Sequence, residues 1–173
     1  IYDKSSIICF RAGLIFGLAI SIPAFFWMIE GAQRFTGGDS IYGYLVFIIS
    51  SFIWILYFGA VNYCFSILRI KNDYSFSGIV NALIIACVYV TGEAMLMFVS
   101  KYLPWFGFHS GNSLMDTIYT IQAASVFGIH GMSFMIVFVN YLIAEFFIKK
   151  QWARLSIPVA VIILYVLAGY FMY

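Results

Sequence analysis

The sequence predicts an all-α fold, a polytopic membrane bundle of about five transmembrane helices plus an interfacial or re-entrant helix. Three observations predict it. Of the 173 residues, 64% are hydrophobic and 9% charged, where soluble domains carry about 25% charged residues. The mean hydropathy is +1.01. The apolar residues are gathered into long runs separated by short polar stretches. A water-soluble fold of this size leaves roughly a third of its unfolded surface exposed, and nine basic and seven acidic residues are too few to cover it. Lipid is therefore the solvent for most of the chain, and residues 1–173 are expected to form one transmembrane domain.

The first expected span is 12–29, with Arg11 at its entrance and Trp27 and Glu30 at its exit. That is about the length that crosses a 30 Å hydrocarbon core at 1.5 Å per residue. Pro23 should kink it. Gly13 and Gly17 form a G-x-x-x-G pair that lets a neighbouring helix approach closely. A polar turn over Gln33–Ser40 precedes a second span, 41–68, longer than a bilayer requires and so tilted or begun in the interface. Arg69, Lys71 and Asp73 mark the next connection, and a third span follows at 79–99 with two strongly polar side chains, Asn81 and Glu93.

Residues 101–127 read as an interfacial segment: Lys101–Asp116 carries Pro104, Trp105, Gly107, His109, Gly111 and Asn112 and is amphipathic enough for the headgroup layer. The apolar stretch from Ile118 to Ile148 is too long for one perpendicular helix. Gly128, Ile129, His130 and Gly131 interrupt it, which splits it into a short interfacial or re-entrant helix and a fourth span at 132–148. Lys149, Lys150 and Arg154 close that span, and 155–173 is the fifth, with Pro158 in its first turn.

The basic residues give an orientation, because cytoplasmic flanks collect Lys and Arg. Lys4, Arg11, Arg69, Lys71, Lys149, Lys150 and Arg154 fall on one side of the alternating spans and only Arg34 and Lys101 on the other. The N-terminus is then cytoplasmic and Tyr173 lies outside. The chain starts at Ile1 rather than Met and ends inside an apolar run, so further sequence is expected at both ends.

No basic stripe exists for a nucleic acid. Cys9, Cys64 and Cys87 lie within apolar runs with no C-x-x-C spacing, which points to buried packing thiols rather than disulfides or metal ligands. Glu93 is the costliest side chain to place in hydrocarbon. It is either a cavity-facing functional group or a hydrogen-bonding anchor between helices. No carboxylate or cysteine stands at a ligand-like spacing from His109 or His130, so no metal and no cofactor is expected, and His130 reads as a polar residue at a helix break. The tryptophans suit an aromatic belt. No G-x-S-x-G elbow, phosphate-cradling glycine loop or H-E-x-x-H is present, so no catalytic residue is expected in this segment.

A family comes into view over Glu93–Asn140. Glu93, then Leu103-Pro104-Trp105, Gln122, Gly128-Ile129-His130-Gly131-Met132-Ser133-Phe134 and Asn140 resemble, in order and spacing, the signature of bacterial apolipoprotein N-acyltransferases. Upstream, Phe26-Trp27 and Phe35-Thr36-Gly37-Gly38 are similar to that family's third membrane helix and its outer loop. The resemblance covers nearly the whole chain and equates the five spans with the third to seventh of eight. Ala94-Met95-Leu96-Met97 departs from the Trp-Leu-Arg-Gly the family often shows, and His109-Ser110 departs from its Gly-Tyr, so no role of that arginine or tyrosine carries over.

The resemblance implies an inner-membrane enzyme that moves an acyl chain from a phospholipid donor to the N-terminal cysteine of a diacylated lipoprotein. It also implies that a Glu, a Lys and a Cys in a periplasmic nitrilase-like domain do the chemistry. Cys9, Cys64 and Cys87 match none of these positions. Glu93, Pro104, Trp105, His109 and Gln122 are then candidates for the border of the substrate entrance, with Pro104 and Trp105 fixing the loop at headgroup depth. Gly128, Gly131, Ser133 and Asn140 are the structural motif. Two other readings compete: a small transporter or channel subunit, with Asn81 and Glu93 lining a polar pathway, and a non-catalytic structural partner packed through its G-x-x-x-G face.

Overall fold

The computed structural model describes residues 5–38, 40–71, 76–100 and 109–172. Lys101, Pro104, Trp105 and Asp73 lie outside them. Among the described residues seven α-helices are formed: α1 (Ser6–Phe25), α2 (Trp27–Phe35), α3 (Ser40–Leu68), α4 (Ser77–Ser100), α5 (Ile118–Ile121), α6 (Ala123–Ile148) and α7 (Ser156–Met172). Short 3-10 turns at Ser110–Leu114 and Trp152–Leu155 precede α5 and α7. Among the described residues no strand forms, and five helices are long and apolar enough to cross a membrane. Protein buries only 11–33% of the most apolar stretch of each, which leaves the remainder for lipid. The chain divides into two compact units, Ile1–Leu68 and Arg69–Tyr173.

In the first unit, α1 lies directly on α3. A Cβ added to Gly13 would stand 2.9 Å from the Gly59 Cα, and one on Gly17 would stand 2.8 Å from the Ile55 Cα. Those approaches are possible only because the two glycines lack side chains, so the G-x-x-x-G pair is a true packing face. Gly59 receives Phe10 and Leu14 in return. Phe25, Trp54, Tyr57, Phe58 and Val61 fill the space between the helices, and Trp54, 6% exposed, packs against Phe25, Tyr57 and Phe58. Trp54 is thus a core residue, whereas Trp27 and Trp152 are exposed as a belt requires.

The first membrane helix begins at Ser6 and stops at Phe25, earlier than its expected end at Ile29. Pro23 offers no N–H to the helix ladder, and a turn at Phe26 separates α1 from α2. The amphipathic α2 pairs Arg34 with Glu30 at 2.5 Å across one turn. It ends in a Schellman cap in which the Gly38 N–H donates to the Gln33 carbonyl at 2.8 Å and Gly37 takes φ 84°. The helix therefore runs into the stretch that reads as a polar loop from Gln33.

In the second unit, Ala82, Leu142 and Phe146 form the buried contact of α4 with α6, flanked by Ile79, Phe138 and Tyr141. Asn81 works at the foot of α4: its Oδ1 accepts the Ile70 N–H at 2.7 Å and its Nδ2 donates to the Ile70 carbonyl at 3.1 Å. Both ends of the amide are engaged in holding the preceding chain, and Asn81 is 1% exposed. A pathway lined by Asn81 and Glu93 therefore loses one of its two groups. Glu145, which sequence reasoning passed over, is nine-tenths buried beside Gly78 and pairs with Lys149 at 2.9 Å. Helix α7 is tied to α5 by the Tyr165 hydroxyl, which donates to the Thr120 carbonyl at 2.6 Å. All three cysteines are free; Cys64 and Cys87 face outward rather than inward, a position that is apolar only because lipid surrounds the helices.

The α6 C-terminus also closes in a Schellman cap, with the Gln151 N–H donating to the Phe146 carbonyl at 2.8 Å, but Lys150 occupies the left-handed position at φ 56°. A side chain there costs about 1–2 kcal/mol relative to glycine. Lys150→Gly is expected to stabilise the second unit by about 0.5–1 kcal/mol after glycine's extra unfolded-state entropy is subtracted. Thermal unfolding in detergent reads this as a higher Tm, and an unchanged or lower Tm counts against the strain assignment.

Candidate functional site

The residues of the Gly128–Phe134 stretch each have a separate physical task. Gly128 takes φ 65°, ψ −175° and breaks α6, a conformation that is essentially restricted to glycine. The chain resumes as helix at Ile129. Gly131 then makes room for Phe127, whose Cγ would lie 3.3 Å from any added Cβ. Ser133, fully buried, turns its Oγ outward from α6 to accept the Gly111 N–H at 2.8 Å. Gly111 in turn sits so close to α6 that a Cβ would meet the Ile129 carbonyl oxygen at 2.6 Å.

The segment starting at His109 is clamped from α4 as well. Glu93, 1% exposed, accepts the Ser110 N–H on Oε1 at 3.0 Å, and the Tyr89 hydroxyl lies 2.5 Å from the Ser110 Oγ. The other carboxylate oxygen, Oε2, faces His109 Nδ1 at 3.5 Å and His130 Nδ1 at 3.7 Å. The two imidazole rings meet edge to face, with centroids 5.0 Å apart. Glu93 thus anchors the His109 segment through Oε1 and presents Oε2 to two histidines.

Linear spacing gave no reason to join Glu93 with His109 and His130. The fold joins them because the break at Gly128 and the approach of Gly111 lay the His109 segment across α4 and α6. His130 is accordingly part of a polar cluster rather than an isolated side chain at a helix break. Tyr89 and Ser110 belong to the same cluster and were not singled out by sequence; an aromatic and a serine in apolar or loop sequence carry no signal of their own.

His130 also lines an apolar cleft of about 580 Å³ between α4, α6 and α7, whose walls include Val90, Phe134, Met135, Tyr165 and Ala168. That size lies within the about 300–1,000 Å³ of small-molecule sites. Asn140 stands elsewhere, on the wall of a second and smaller apolar cleft with Thr120 and Val166. It is about two helical turns from Ser133. Gln122 occupies the junction of α5 and α6, where its backbone carbonyl accepts the Ser125 N–H at 3.0 Å. The arrangement therefore brings together Glu93, His109, Gly131 and Ser133 of the sequence candidates, while Gln122 and Asn140 stand outside the cluster.

Residues 3–142 match the family described as the apolipoprotein N-acyltransferase N-terminal domain. The chain belongs to that family. No curated protein and no solved structure matches it. The match takes in the whole of the Glu93–Asn140 stretch, so the cluster and the break at Gly128 lie inside the shared region of this N-acyltransferase domain.

Proposed function

We propose that this chain is the membrane platform of an apolipoprotein N-acyltransferase, guiding acyl lipids from the bilayer to the site of acyl transfer. The observation that carries the reading is a buried polar cluster sharing its His130 wall with an apolar cleft. An acyl lipid is polar at one end and apolar along the rest, and such a pair of environments suits it. In this reading the donor is a phospholipid, the acceptor a diacylated lipoprotein, and the transfer itself is done by a nitrilase-like domain of the same enzyme. Glu93 and His109 are assigned to the border of the entrance; Pro104 and Trp105, the other candidates for it, lie outside the described residues.

The distribution of basic residues supports a cytoplasmic N-terminus and a periplasmic Tyr173 in the bacterial inner membrane. With that orientation, Glu93, two turns before the end of α4, lies near the outer surface. Lipid-borne substrates would then reach a periplasmic active site laterally, without leaving the bilayer.

The test is to fill the cleft. Ala168→Trp in the full gene is expected to lower lipoprotein N-acylation at least about ten-fold, equivalent to about 1.4 kcal/mol, with membrane levels of the protein unchanged. Ile163→Trp, on the opposite, exposed face of the same helix, serves as the control. Equal N-acylation in both variants, measured by mass spectrometry of a lipoprotein N-terminus, rejects the cleft as the lipid route.

A further inference from the structure

We infer that Glu93, His109 and His130 form a binding site for a divalent transition-metal ion of the zinc class. Two imidazole nitrogens and one carboxylate oxygen are a ligand set that zinc accepts, with a fourth position left for a water or another oxygen. Their three ligand atoms lie within 4.8 Å of one another.

The distances distinguish this from an ordinary hydrogen-bonded triad. Nitrogen–oxygen hydrogen bonds run to about 3.2 Å, yet Glu93 Oε2 stands 3.5 Å from one Nδ1 and 3.7 Å from the other. Zinc bonds of about 2.0–2.2 Å in tetrahedral array separate neighbouring ligands by about 3.3–3.6 Å. The spacing is therefore near that of two ligands around one ion. The two rings meet at 88° rather than stacking, so both can direct a nitrogen at a common point.

Burial gives the second, independent observation. Glu93 Oε2, His109 Nδ1 and His130 Nδ1 are all buried and none has a hydrogen-bond partner. Three unsatisfied polar atoms converging in an apolar bundle would each carry a desolvation cost, and a single cation satisfies all three together. The support around them is of the kind ligands require. Oε1 is fixed by the Ser110 N–H, Ser110 is held by Tyr89, and Gly111 is held by Ser133. Because the ligands come from α4, the His109 segment and α6, the ion would pin that segment to both helices. This site does not depend on the acyl-transfer reading.

The experiment uses full-length protein purified in detergent without chelator. Its zinc content is measured, then the chelator-stripped protein is titrated with Zn²⁺ and with Co²⁺. One ion per chain is expected, with visible cobalt bands of tetrahedral strength. Glu93→Gln and His130→Ala should each weaken Co²⁺ binding at least about ten-fold with helix content by circular dichroism retained. The triple Cys9→Ser, Cys64→Ser, Cys87→Ser variant should bind as the parent does. X-ray absorption on the zinc-loaded parent, which needs no variant to fold, should show two imidazoles, oxygen and no sulfur. No stoichiometric ion in the folded parent, sulfur in the shell, or undiminished binding by Glu93→Gln overturns the site; a cavity occupied by water alone gives the first of these results.

Discussion

Gly17→Leu is expected to separate α1 from α3 and to cost the first unit about 3 kcal/mol, the upper part of the range for overpacked sites. The Gly17 Cβ position is 2.8 Å from the Ile55 Cα and 3.3 Å from both the Ile55 carbonyl oxygen and the Phe58 Cβ. Two of those three atoms are backbone, so no rotamer change relieves the clash and the helices must move apart. Moving apart strips Phe58 and Trp54 of their packing against α1, which removes dispersion contacts and leaves voids that lipid chains fill poorly. Ala12→Leu, on an exposed face of the same helix, introduces the same side chain and should change stability by less than about 0.5 kcal/mol. Unfolding by denaturing detergent compares the two directly. Equal midpoints for the parent and Gly17→Leu would show that α1 does not pack on α3 through its glycines.

Glu93→Ala carries the second large effect. It leaves the part-buried Ser110 N–H without an acceptor, at a cost of about 1 kcal/mol, the lower end for such groups, and opens a cavity where the carboxylate packed. The Gly111–Ser133 and Tyr89–Ser110 hydrogen bonds remain, so the segment loosens without detaching completely. In metal-stripped protein, amide hydrogen exchange over residues 109–114 should rise at least about ten-fold, the equivalent of about 1.4 kcal/mol of lost local stability. Glu93→Gln retains an oxygen acceptor and should restore most of the protection while binding metal at least about ten-fold more weakly than the parent. The two substitutions thus separate the anchoring role of Oε1 from the ligand role of Oε2. Unchanged exchange in Glu93→Ala would mean that Ser110 is held by other means.

The membrane helices were readable because each depends on local sequence alone: a helix in lipid satisfies its own backbone, so length and apolarity suffice to find it. The break at Gly128 was readable for a similar reason, since the required φ 65° suits glycine and little else. So was the Gly13/Gly17 face. What escaped were features made by distant residues. Glu93, His109 and His130 sit on three elements, and no spacing along the chain announces their meeting. Trp54 resembles a belt residue until Phe25, Tyr57 and Phe58 are seen around it. Asn81 resembles a polar lining residue until Ile70 is found on both ends of its amide. The cap at Lys150 escaped because the expected residue at a left-handed cap is glycine.

The Glu93 cluster and the cleft also belong together physically. A carboxylate in hydrocarbon is tolerated when it is paired or faces a polar cavity, and the cluster supplies both partners and a boundary with the apolar slot through His130. The proposed role as a lipid platform calls for such a boundary, because a headgroup and an acyl chain are recognised by different surfaces held at fixed separation. The break in α6 fixes that separation: Gly128 sets where His130 and Phe134 enter the cleft wall, and Ser133, between them in sequence, faces the other way to hold Gly111.

The most direct test of the central claim is the mass of a lipoprotein N-terminus in bacterial cells whose only source of N-acyltransferase is the full gene encoding this chain. The account predicts a lipoprotein carrying a third, amide-linked acyl chain on its N-terminal cysteine; a lipoprotein left diacylated, with the protein present at normal levels in the membrane, contradicts it.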